Sequence, residues 1–346
     1  VAQGHATAQH ALGSMHYRGE GGPADFTEAR RLLGLAADQG YADAQFNLSV
    51  MHRDGQGGPE DFAEARRLLG LVAAQGHAIA QHYLGALHHD GKGGPADFAE
   101  ARRLLGLAAA QGNAGAQCTL GRMHWNGNGG QVNLAEARRL FGLAVAQGHA
   151  TAQHALGSMH CLGDGGPADF TEGRRLIGLA AQQGNGSAQY DVGCMHRDGE
   201  GGPVDYAEAR RLLELAAEQD YPKAQYSLGL LHLDGEGGPV DFAEAMRLFG
   251  LAAALGYADA QDYLRDEEAL RAKQHADADA MMDQLLAEDA QEKQAKGAPK
   301  SRKSAKGKKV TMSCASAALP SAAISAVPVT PPSSGATVAG TAAASD

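Results

Sequence analysis

The dipeptide Ala-Gln recurs at Ala8-Gln9, Ala44-Gln45, Ala80-Gln81, Ala116-Gln117, Ala152-Gln153, Ala188-Gln189, Ala224-Gln225 and Ala260-Gln261, always 36 residues apart and with no insertion. A period this strict makes the chain a stack of small equivalent units. No unit of that size covers its own apolar face, so neighbours must stack to bury a continuous core. Seven whole units fit, followed by a partial eighth.

Within the second unit, Ala44, Leu48 and Met51 repeat at helical spacing, which predicts a first helix over about Ala42 to Arg53. Gly55, Gly57, Gly58 and Pro59 then end it, because glycine admits positive φ and proline cannot continue the ladder. Asp61 with Glu64 three residues on forms a capping-box pattern at the start of a second helix. Ala65, Leu68, Leu69, Val72 and Ala73 give that helix an apolar face, Arg66 and Arg67 are expected toward water, and Gly76 is expected to close it. Small residues such as Ala44, Gly85, Ala65 and Ala73 let the helix axes approach closely.

Composition agrees. Glycine is abundant at 47 residues but lacks the three-residue period of collagen, and aromatic residues are only 5% of the chain. Alanine-rich, aromatic-poor segments suit helices more than strands. The net charge is −10; eleven Lys and Arg against ten Asp and Glu lie from Arg265 to Asp346, which leaves 19 basic and 30 acidic residues before Arg265. An acidic repeat body repels phosphate backbones, so nucleic acid is an expected ligand only for the tail. Cys118, Cys161, Cys194 and Cys314 show no paired spacing, which argues against a disulfide framework and for a reducing, intracellular setting, cytoplasmic or nuclear. No apolar run approaches the roughly 20 residues of a membrane-spanning helix. Val1 falls in mid-repeat, as expected of a piece of a longer chain.

The order A-Q-x-x-L-G-x-M-x-x-x-G-x-G-G-P-x-D-x-x-E-A-x-x-L-x-x-x-A-A-x-Q-G, over residues 1 to about 264, resembles the Sel-1-like repeat, a relative of the tetratricopeptide repeat. The resemblance implies an all-α, right-handed α/α superhelical solenoid whose usual role is adaptor or scaffold in protein complexes. The chain departs from the family where His16, His52, His88 and their equivalents replace a common tyrosine, and where Leu32-Leu33 and their copies replace an aromatic pair. The cysteines that tie each repeat in a secreted subgroup are missing.

A histidine stands at one place in all seven units: His16, His52, His88, His124, His160, His196 and His232. Two readings apply: a metal or pH-sensing column, since imidazole titrates near pH 6.5, or a ring packed between helices with one nitrogen bonded. Geometry favours the second, because no further ligand column shares that face. The glycine loops, such as Gly19 to Pro23, follow helices rather than strands and read as turn chemistry, not phosphate cradles. The recurring acids, such as Asp97 and Glu100, are explained by capping. No catalytic constellation stands out, so the chain is read as a non-enzyme without a cofactor.

Differences between copies carry the functional signal. The second position after Ala-Gln reads Ala11, Asn47, Tyr83, Thr119, Ala155, Asp191 and Ser227, and the residue after the histidine reads Tyr17, Arg53, His89, Trp125, Cys161, Arg197 and Leu233. The resemblance implies that first helices line the concave face of the stack. Asn47, Arg53, Tyr83, His89, Arg122, Trp125, Asp191 and Arg197 are therefore the expected contacts for a protein or peptide partner. Trp125, the only tryptophan, lies beside Arg122 in the most irregular unit, which has Gln131 in place of proline. Residues 265–297 are expected to be helical, with Met281, Met282, Leu285 and Leu286 as an isolated apolar stripe that caps the stack or docks a partner. Residues 298–346 are expected to be disordered, with a basic run from Lys300 to Lys309.

Overall fold

A computed structural model describes residues 4–297. It places fifteen helices and no strand among them. Each repeat contributes two: α1 (Ala6–Arg18) and α2 (Phe26–Ala37), α3 (Ala42–Arg53) and α4 (Phe62–Ala74), α5 (Ala78–Asp90) and α6 (Phe98–Ala110). The next are α7 (Ala114–Asn126) and α8 (Leu134–Val145), α9 (Ala150–Leu162) and α10 (Phe170–Gln182), α11 (Gly186–Asp198) and α12 (Tyr206–Ala217), α13 (Pro222–Asp234) and α14 (Phe242–Ala254), closed by α15 (Ala258–Gly297). Each second helix from α2 to α12 packs on the first helix of its own repeat and on that of the next, which is the arrangement of an α/α solenoid.

The second helices start where the capping pattern puts them. The Glu64 N–H donates to Asp61 Oδ1 at 2.9 Å, satisfying one of the free amides of the first turn. The Glu64 carboxylate in turn receives Arg67 in a fork at 2.7 and 2.6 Å. Gly76, at φ +87°, donates its N–H to Ala73 O at 3.0 Å and ends α4.

Alanine and leucine fill the interior, and the core crosses repeat boundaries: Leu104 of α6 joins Leu69, Val72 and Leu84 from the repeat before and its own. Small residues on the first helices are needed for this. A Cβ on Gly85 would lie 2.8 Å from Leu105 Cγ, and one on Gly229 would lie 2.6 Å from the Phe249 ring, so the first-helix backbone sits directly on the second-helix side chain.

Two polar devices fix how one repeat sits on the next. The loop glycine Gly93, at φ +76°, lies so close to the first turn of α4 that a Cβ would fall 2.3 Å from Phe62 O. The glutamine of the Ala-Gln pair is buried, and Gln117 Nε2 donates to Ala109 O of the preceding repeat at 3.2 Å. Its carbonyl accepts Gln147 Nε2 at 2.9 Å. The same link joins Gln39 to Gln9, Gln111 to Gln81, Gln183 to Gln153 and Gln219 to Gln189.

Contacts divide the chain after Asp279, although α15 runs unbroken past residue 264. In the second unit, the described helical residues carry Met281, Met282, Leu285 and Leu286 exposed. Residues 298–346, with the Lys300 to Lys309 run and Cys314, lie outside the described residues. No described helix is long and apolar enough to cross a membrane.

Candidate interaction surface

The first helices touch one another along the stack, α5 with α7 and α7 with α9. The variable residues lie at these junctions, and most of them are half-buried. Their partners are other variable residues one repeat away. Asn47 Nδ2 lies 3.0 Å from His10 Nε2, and His154 Nε2 lies 2.6 Å from Asp191 Oδ2. His89 pairs through Nδ1 with Asp90 at 2.6 Å and through Nε2 with Asn128 Nδ2 at 3.0 Å. The Arg53 guanidinium stacks 4.9 Å over the Tyr83 ring and is also paired to Asp54 at 2.6 Å.

Trp125 donates its indole N–H to Asp164 Oδ2 at 2.7 Å and packs edge-on against Phe141. Arg197 is held by Asp198, whose hydrogen bond keeps the guanidinium strongly protonated. Arg122 is exposed, and among the described residues no ion pair or hydrogen bond engages it. The eight expected contact residues thus lie on one row of helices but not in one cluster. Between α1 and α3 the row opens into a hollow of about 310 Å³ lined by Tyr17, Arg18, Leu33, Phe46, Asn47 and Val50.

The histidine column faces the arginines of the preceding repeat rather than other histidines. Arg30 Nη2 lies 2.6 Å from His52 Nδ1, and Arg66 and Arg174 make the same contact to His88 and His196. The expectation that both Arg66 and Arg67 face water is therefore corrected: Arg67 does, while Arg66 reaches across the repeat boundary. In the neighbouring repeats Arg102 and Arg138 bond to the loop carbonyls of Asn128 and Asp164, each at 2.7 Å. Burial, and then the arginine charge, holds His52, His88, His124, His196 and His232 below the usual imidazole range. Among the described residues no group of three His, Cys, Asp or Glu side chains is placed to hold a metal ion. Burial pushes the thiols of Cys118, Cys161 and Cys194 up to about 11, which leaves them poor nucleophiles.

The recurring arginine of the second helix is the residue that sequence reasoning passed over. Its signal was present: Arg30, Arg66, Arg102, Arg138, Arg174 and Arg210 share the 36-residue step, and only Met246 breaks it.

The Sel1 repeat family pattern matches seven times without a gap, at residues 6–41, 42–77, 78–113, 114–149, 150–185, 186–221 and 222–257. A Sel1 repeat protein from Oxalobacter formigenes shares 32% identity and a TM-score of 0.65, over 76% of each chain. A protective antigen of uropathogenic Escherichia coli, c5321, described as displaying an SLR fold, shares 30% identity and a TM-score of 0.66; the match covers 76% of this chain and 56% of that one. No curated protein matches the chain.

Proposed function

The chain belongs to the Sel1 repeat family, whose solenoids generally mediate protein–protein interaction, and from that premise we propose that it is a non-catalytic scaffold binding a protein or peptide along its first-helix row, the concave face implied by the resemblance. One observation carries the reading. Seven repeats keep an almost unchanging core while the residues at the first-helix junctions vary from copy to copy, with Ala and Arg each recurring once, so a rigid frame presents a varied surface. The hollow between α1 and α3 suits an apolar side chain of the partner, and the aromatic and arginine residues of the row are of the types that dominate binding energy. The described cysteines are free, which supports an intracellular setting.

The test is capture of partners from native extract on the full chain beside a Tyr83→Ala/Trp125→Ala variant, with helicity of both checked by circular dichroism. A partner retained by the parent and lost with the equally helical variant supports the reading. A partner held equally by both would overturn it.

A further inference from the structure

Two equivalent grooves lie one repeat apart on the second-helix side, and they differ in charge. The first, of about 580 Å³, lies between α10 and α12 over α11. The second, of about 500 Å³, lies between α12 and α14 over α13. Stepping 36 residues along converts Gly178, Gln182 and Gly184 of the first into Glu214, Glu218 and Asp220 of the second.

Glu214 and Asp220 are departures from the whole stack, while the place of Glu218 is acidic once more, at Asp38. The place of Glu214 is glycine in the six other repeats, and so is that of Asp220. Asp220 is the only described non-glycine residue at positive φ, +57°, a backbone state that costs a side chain free energy. Glu214, Glu218 and Asp220 are exposed, and among the described residues none of them has a cationic partner; the remaining groove carboxylate, Glu244, is paired to Arg247.

A second observation, independent of the acids, is at the floor. Gln225 is 1% exposed and its Oε1 has no hydrogen-bond partner. In the sister groove the equivalent Gln189 Oε1 accepts an amide N–H from Gln219 at 2.7 Å. Leu255 stands where that donor would be. His232 Nδ1 is likewise buried without a partner, as are His124 Nδ1 and Gln45 Oε1 elsewhere in the stack, whereas its counterpart in the sister groove, His196 Nδ1, is bonded by Arg174. The second groove therefore combines uncompensated negative charge with two unfilled buried ring or amide positions, at one of which five other repeats supply an N–H from their own chain.

We propose that the groove between α12 and α14 binds a lysine or arginine side chain of a partner segment, its charge met by Glu214, Glu218 and Asp220 and one N–H taken by Gln225 Oε1. The site is separate from the first-helix row and does not depend on it. A charged donor to a buried carbonyl is worth roughly 1.5–3 kcal/mol, so losing it weakens binding about tenfold or more.

The experiment is fluorescence anisotropy of the full chain with a labelled peptide of alternating lysine and glycine. Saturable binding is expected. The Glu214→Gly/Glu218→Gln/Asp220→Gly variant, which copies the sister groove and so retains a residue set the fold already carries, is expected to lose affinity about tenfold or more. Leu255→Gln leaves every carboxylate in place and returns the missing donor to Gln225; it is expected to weaken binding about tenfold or more. Absence of saturable binding, or affinity unchanged in either variant, would overturn the proposal.

Discussion

Arg30 and His52 belong to successive repeats, and Arg30 Nη2 meets His52 Nδ1 at 2.6 Å. Arginine has no acceptor, so Nδ1 must accept and the ring is neutral. The contact links repeat geometry to protonation: a proton added to the imidazole removes the bond and sets two like charges side by side.

That arrangement predicts acid sensitivity. His52, His88, His124, His196 and His232 have folded-state values below the ordinary one, through burial first and the arginine charge second. The unfolded chain therefore takes up protons first as pH falls. Stability is complete above about pH 6.5 and is lost as pH drops through the lowered values. The first-turn glutamates act lower: Glu64, held down by its hydrogen bonds to Arg67, loses its contribution only below about pH 4.5. Thermal midpoints recorded at about pH 7.5, 6.5 and 5.5 should fall across the series, and a flat profile would contradict this account.

Glycines in two settings should respond in opposite directions. Gly93→Ala places a Cβ 2.3 Å from Phe62 O at φ +76° and should cost about 2 kcal/mol or more. Gly106 lies inside α6 with nothing within 4 Å of its Cβ position, so Gly106→Ala should stabilise by about 0.5–1 kcal/mol. Urea midpoints of the two variants measure both.

Gln117→Leu should destabilise by roughly 1–3 kcal/mol, because it removes two hydrogen bonds, to Ala109 O and from Gln147 Nε2, at a buried site. Gln261→Leu, whose parent side chain is exposed, should cost less. Equal losses in urea denaturation would contradict the role given to the buried glutamine.

Asp220→Gly should stabilise the chain by about 0.5–1 kcal/mol, since it relieves the positive φ without removing a described ion pair. A thermal midpoint at or below that of the parent would contradict this.

The sequence made the helices legible almost to the residue. Ala42–Arg53 is the first helix of the second repeat as expected, and Asp61 caps the second, because spacing and capping are local properties. Arg66 was not legible. It and Arg67 share the polar side of α4, and which of the two turns to the next repeat is decided by stacking rather than by helical period. The same limit applies to the surface. Trp125 and Asp191 could be placed on the first helices, but their pairing with Asp164 and His154 depends on how neighbouring helices pack. The Glu214, Glu218 and Asp220 departures were visible in the alignment of the repeats, yet their convergence on Gln225 required the groove.

The most direct measurement of the central claim is hydroxyl-radical footprinting of the full chain, free and with its captured partner. Tyr83 and Trp125, on the first-helix row, should become protected in the complex. Unchanged labelling of both, with protection only on second helices or loops, would contradict it.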